Sequence, residues 1–146
     1  APDVAGAIVW GPGPTEEHHP LDLTWYGIHT VELLYTVMGP GCETVSMLSE
    51  KDSDVVTGRW KDGRLGTVRL IRPYSEYGAT VFRAKGFIQS DPKTAKVDYA
   101  PMLEKIVEFF RSGKSPVPES ETLEIFAFMD AAQRSKQSNG SPQRLR

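Results

Sequence analysis

His29 is the residue of this chain best placed to move a proton. It follows Gly27-Ile28 and opens the apolar run of the stretch Trp25 to Gly41, WYGIHTVELLYTVMGPG. An imidazole is the side-chain type most often used for proton exchange near neutral pH, and one fixed at a rigid helix start faces a cleft more readily than a core. Just upstream, Glu16-Glu17-His18-His19-Pro20-Leu21-Asp22 gathers carboxylates and imidazoles into one polar loop. The plainer alternative is that His29 is a capping or surface group and that the adjacent His18 and His19 are solvated. As metal ligands, His18, His19, Asp22 and His29 lack the i, i+4 spacing of a metalloprotease helix and the paired spacing of a zinc finger, so no metal site is assigned to them.

The elements that must hold these groups follow from periodicity. Val31, Leu34, Tyr35 and Met38 recur at i, i+3, i+4 and i+7, which predicts a helix over 29–38 with one buried stripe, ended by Gly39-Pro40-Gly41. Val4 to Trp10 (VAGAIVW) reads as a buried strand, Gly11 to Pro20 as a loop, and Glu43 to Leu48 as a second strand. Asp54 to Arg72 reads as a hairpin about Lys61-Asp62-Gly63-Arg64, because Asp-Gly is a preferred pair for a type I′ turn. A two-residue loop pairs Trp60 with Leu65, Gly58 with Thr67 and Val56 with Arg69; neither face is then cleanly polar, and both are expected to be covered. Strands over 79–84 and 87–89 follow, then a polar loop from Ser90 to Val97. A helix beginning at Tyr99, with Pro101 in its first turn and Gly113 at its end, should bury Leu103, Ile106, Val107 and Phe110 as plain core. The last helix, about Ser120 to Ser138, is apolar on nearly every side and calls for more than one neighbour. The domain is therefore set at 1–138, with 139–146 a disordered tail.

Composition limits what this assembly can be. A chain of 146 residues with 39% hydrophobic content supports one domain with a real core. A net charge of -2 with interspersed signs provides no field for nucleic acid or an anionic membrane. The single cysteine, Cys42, excludes an internal disulfide and fits a reducing, cytoplasmic setting. No apolar run is long enough to span a bilayer and no leader opens the chain, so a soluble protein is expected. The chain begins with Ala and enters a strand almost at once, as a piece of something longer would. Gly11-Pro12-Gly13-Pro14 is glycine-rich, but its prolines remove the N–H groups a phosphate would need, so no nucleotide site is expected here. Arg69, Arg72 and Arg83 are cations suited to a carboxylate or phosphate, though arginines on strands more often form surface or interface pairs.

Three blocks of sequence carry a family resemblance. Asp22-Leu23-Thr24-Trp25-Tyr26-Gly27-Ile28-His29 through Met38-Gly39, then Val56 to Arg64 with Gly66-Thr67, and finally Glu121 to Ala132 with Ser135, resemble in order and spacing the C-terminal domain of the glucose-fructose oxidoreductase and inositol dehydrogenase (Gfo/Idh/MocA) family. The resemblance implies an α+β fold: an open, mostly antiparallel sheet with helices on one face, and an opposite face that commonly packs against a second subunit. It implies a Rossmann domain upstream, absent from this chain, that holds NAD or NADP, and a sugar or cyclitol substrate over the sheet. The family's catalytic histidine falls on His29. Trp25 stands where family dehydrogenases often carry an aspartate, so either Asp22 substitutes or the chemistry differs from plain dehydrogenation, and Trp25 and Tyr26 are suited either to stack on a sugar ring or to lie in the core. Asp22, Trp25 and Tyr26 are accordingly the candidate substrate-binding residues. Two other readings stay open: a non-catalytic scaffold with the same fold, and a metal-assisted lyase or glycoside-cleaving enzyme using His18, His19 and His29.

Overall fold

The computed structural model describes residues 3–91 and 98–146. Seven strands form one sheet: β1 (Val4–Pro12), β2 (Cys42–Glu50), β3 (Ser53–Trp60), β4 (Leu65–Ile71), β5 (Gly78–Arg83), β6 (Phe87–Gln89) and β7 (Gln143–Arg144). Their order across the sheet is β6-β5-β1-β4-β3-β2-β7. Only β1 and β4 run parallel; the other neighbours are antiparallel. Helices α1 (Ile28–Met38) and α3 (Glu119–Gln137) cover one face, so the fold is the α+β open sheet that the sequence implied.

Alternation decides which strand residues face those helices. Ala7 and Val9 of β1, Val45 and Met47 of β2, Val56 and Trp60 of β3, and Val68 and Leu70 of β4 are buried. Against them α1 sets Val31, Leu34, Tyr35 and Met38, the predicted stripe, and α3 sets Ile125, Phe128, Met129, Ala131 and Ala132. Helix α1 stops where Gly39 turns to φ 70° and its N–H donates to the Tyr35 carbonyl at 2.7 Å, a backbone angle that favours glycine. At the centre of the sheet Gly58 pairs with Gly66. A Cβ on Gly58 would lie 2.8 Å from the rings of Phe128 and Trp60, and one on Gly66 3.0 Å from Trp60 and Leu34. The two glycines thus leave the space in which the Trp60 indole lies, its Nε1–H donating to the Gly39 carbonyl at 2.8 Å.

Several expectations change. The hairpin register is one residue off: Arg59 faces Leu65, Gly58 faces Gly66, and Val56 faces Val68. The turn is a three-residue loop, with Gly63 N–H donating to Trp60 O, Trp60 N–H to Arg64 O, and Gly63 at φ 85°. This flips β4, so Val56, Trp60, Val68 and Leu70 share the helix side. Thr57, Thr67, Val55 and Arg69 share the other, where the two threonine hydroxyls lie 3.1 Å apart. In the single chain that second face is partly open. Residues 139–146 are not a loose tail. Asn139 and Gly140 reverse the chain with positive φ, β7 pairs with β2, and Leu145 N–H donates to Glu43 O at 3.1 Å. Asn-Gly was a readable turn signal. Helix α2 (Ala100–Ser112) forms where expected, but none of its residues is buried, so Leu103, Ile106, Val107 and Phe110 are not core. The two first residues of the expected polar loop, Ser90 and Asp91, are described; the rest of it, 92–97, lies outside the described residues.

Two polar groups lock this frame. Arg72 grips the buried carboxylate of Asp54 with both terminal nitrogens, at 2.6 and 3.2 Å, and also donates to the carbonyls of Gly13, Glu50 and Lys51. Glu124 of α3 accepts from the backbone N–H groups of Gly41 and Cys42, at 2.7 and 2.8 Å, and from the Tyr35 hydroxyl at 3.1 Å. Replacing Arg72 by Met should lower unfolding free energy by about 3–5 kcal/mol in a urea titration, because it strands a buried charge. A loss below about 1 kcal/mol would mean that Asp54 is solvated after all.

Burial, with the Glu124 carboxylate adding to it, pushes the Cys42 thiol from 9.0 up to about 12. The Tyr35 phenol is pushed upward for the same first reason. A raised acid favours folding fully below its unfolded value, so stability should hold up to pH 9 and fall as pH climbs from there toward 12. Denaturation midpoints across that range test this, and Cys42→Ala should make the fall shallower.

Candidate functional site

The site is assembled where β1 ends and α1 begins. Gly27 precedes α1, and the first turn closes through Thr30 N–H to Gly27 O at 3.0 Å. His29 therefore projects from the helix start with its side chain 54% exposed, and its Nδ1 lies 3.2 Å from Glu32 Oε2. An ionised carboxylate only accepts, so Nδ1 is the donor to Glu32 and the ring is oriented with Nε2 away from it. The Tyr26 ring stands edge-on to the imidazole, centroids 5.5 Å apart at 89°.

Tyr77, from the segment before β5, joins this group from far along the chain. Its ring packs against Gly11, where a Cβ would come within 2.7 Å of it and within 2.5 Å of Thr30 Oγ1. Burial pushes the Tyr77 phenol from 10.0 up to about 12, with the neighbouring Tyr26 phenol and, more weakly, the Glu32 carboxylate acting the same way. Tyr77 is thus a neutral hydrogen-bond donor at ordinary pH. Thr30 Oγ1 beneath it is buried without a hydrogen-bond partner.

The residues singled out in the sequence are split by the structure. Tyr26 and His29 are brought together. Trp25 turns instead to His19, ring centroids 5.0 Å apart, and is 48% exposed. Asp22 opens a short 3₁₀ turn (Asp22–Thr24) and is tied to α3: its carboxylate meets Lys136 Nζ at 2.6 Å and its N–H donates to Gln133 Oε1 at 3.3 Å. His18 reaches only Glu16, at 4.0 Å. Among the described residues no group of three or more His, Cys, Asp or Glu side chains is placed to hold a metal ion. Arg72 and Arg83 are taken by Asp54 and Asp3. Sequence reading missed Glu32, although its i+3 spacing from His29 was a signal; it also missed Tyr77, for which no local signal exists.

The group sets an imidazole beside the Tyr26 ring on an open surface, with the Tyr77 phenol hydrogen-bonded to that of Tyr26. In the Gly11–Pro14 segment, Gly11 and Pro12 continue β1 against β4, and the Gly13 carbonyl accepts from Arg72. The sizeable hollows lie elsewhere, along α2 and over the open sheet face. Among the described residues no helix is long and apolar enough to cross a membrane.

No known family's sequence profile matches this chain, and no curated protein is significantly similar to it in sequence. Its fold does match solved structures. Scyllo-inositol dehydrogenase from Lactobacillus casei, with bound NAD(H) and scyllo-inositol, superposes with a TM-score of 0.77 at 9% identity over 98% of this chain and 57% of that one. GenD2 of gentamicin A biosynthesis, in complex with NAD, gives 0.77 at 17% identity over 99% and 56%. A myo-inositol dehydrogenase from Corynebacterium glutamicum gives 0.70 at 16% identity over 99% and 57%. The chain has the fold of a domain of the inositol and sugar dehydrogenases of the Gfo/Idh/MocA family. It spans a little over half the length of the chains it matches.

A Cβ at Gly11 has no room, so Gly11→Ala should cost about 1–3 kcal/mol by thermal or chemical unfolding. It should also shift the Tyr77 ring from its place against residue 11, visible in aromatic NMR spectra. An unchanged Tyr77 environment would show that α1 moves instead.

Proposed function

We propose that this chain, residues 1–138 with its paired end, is the substrate-binding and oligomerisation domain of an NAD(P)-dependent dehydrogenase acting on a sugar or cyclitol. The observation that carries the reading is His29, its Nδ1 3.2 Å from Glu32 and its ring edge-on to Tyr26, which in turn meets Tyr77, on a fold shared with dehydrogenases solved with NAD. In this reading His29 Nε2 takes the hydroxyl proton as the alcohol is oxidised and returns it in reduction. Glu32 fixes the ring, and Tyr26 and Tyr77 hold the sugar's hydroxyl groups. Trp25 offers its exposed face to an apolar side of the ring.

In this reading the nicotinamide cofactor belongs to a Rossmann domain elsewhere in the parent protein, and the chain alone neither binds NAD(P) nor turns over. Self-association uses the open sheet face, where Ile8, Leu48, Leu65 and Phe82 are exposed around Thr57 and Thr67. A standard interface there needs roughly 800 Å² per partner. The lone, buried Cys42 supports a reducing compartment such as the cytoplasm.

A second reading, a scaffold that kept the fold without the activity, is favoured by two specific facts: Trp25 stands at the position of the family aspartate, and Asp22, its stand-in, is bound to Lys136. The His29→Asn parent separates them. It should fold normally and lose at least about 100-fold in turnover, with substrate affinity changed far less. Near-normal turnover would make His29 structural and transfer support to the scaffold.

A further inference from the structure

Helix α2 is apolar on one face and covered on none. Met102, Leu103, Ile106, Val107, Phe109 and Phe110 fall on one arc, and Phe110 is 80% exposed. Glu104, Lys105, Glu108 and Arg111 take the other side, where Lys105 and Glu108 pair at 2.8 Å. A 13-residue helix with β-branched and aromatic residues is marginal in water without tertiary packing. Its ends are nevertheless well made: Asp98 accepts from Ala100 N–H, and Gly113 closes it in the left-handed conformation. A helix so finished, with a clean apolar face, is built to lie on something.

That something is not this domain's own core. The helix face of the sheet is already filled by α1 and α3, and α2 makes no substantial contact with any other element. Its apolar surface is matched by that of the first half of α3, where Leu123 and Phe126 are also exposed. The chains that share this fold are longer, this one covering only 56–57% of them, and those solved with NAD hold it in a fold containing this domain and more. We infer that the apolar face of α2 docks against the nucleotide-binding domain of the same parent polypeptide and anchors the two domains to each other. This rests on the dehydrogenase reading above.

The test uses the parent polypeptide, in which the only cysteine of this segment is buried. Phe110→Cys and Val107→Cys should react with a maleimide at least about tenfold more slowly in the native protein than in urea, while Glu108→Cys, on the polar side, should react freely. Hydrogen exchange on the unsubstituted parent checks the same surface without altering it, and should show protected amides over 103–110. A photo-crosslinker at position 110 should join a peptide of the nucleotide-binding domain, within one polypeptide when isotope-labelled and unlabelled protein are mixed. Free labelling at 107 and 110 with fast exchange overturns the inference, as does a crosslink to a second copy or to residues 1–146. A parent with no strand–GxGxxG–helix segment sinks the dehydrogenase reading itself. A parent with one, but with α2 exposed, sinks only this inference.

Discussion

The missing side chains of Gly58 and Gly66 are the constraint on which the rest of this structure depends. Paired across β3 and β4, they leave a trough that the Trp60 indole fills. The indole in turn receives the rings of Tyr35 from α1, 5.9 Å away, with Phe128 of α3 set edge-on to Tyr35. Its N–H ends on Gly39, where α1 stops. One aromatic cluster thus fixes both helices on the sheet, and with α1 it fixes the direction in which His29 leaves the surface. Close-packed interiors transmit such constraints because little space remains for compensation.

How far the sequence disclosed this depends on whether each signal is local. The α1 stripe and the Gly39 stop are spacing effects within a few turns, and the structure repeats them, whereas α3, expected to be covered on nearly every side, buries Ile125, Phe128 and Met129 but leaves Leu123 and Phe126 exposed. The hairpin was legible as a hairpin, but its register was not, because Asp62-Gly63 satisfies both a two-residue loop and a three-residue loop with glycine in the left-handed position. What separates them is which face Val68 and Leu70 take. Placing them beside Val56 and Trp60 would have shown that only the longer loop puts all four inside. For α2 the amphipathic period was plain, but periodicity gives a face, not its cover.

The site shows the same division. His29 and Tyr26 are neighbours in sequence and remain so in space, and Glu32 lies one turn along the same helix. Tyr77 arrives through sheet topology, since β5 pairs with β1 and brings the segment before it over Gly11. Asp22, read as chemistry, is bound in the structure to a lysine of α3 that no local pattern connects to it. Buried area and charge pairing decide such cases, and both are properties of the folded chain.

The segment between Gly13 and Asp22 is held at both ends, by Arg72 at the first and by Lys136 and Gln133 at the second. Between these moorings lie His18 and His19, residues that contribute nothing to the buried core. Evolution can therefore rewrite this stretch as a cassette, changing its length, charge or aromatic content to suit a new ligand, while the sheet and the imidazole beside it keep their positions.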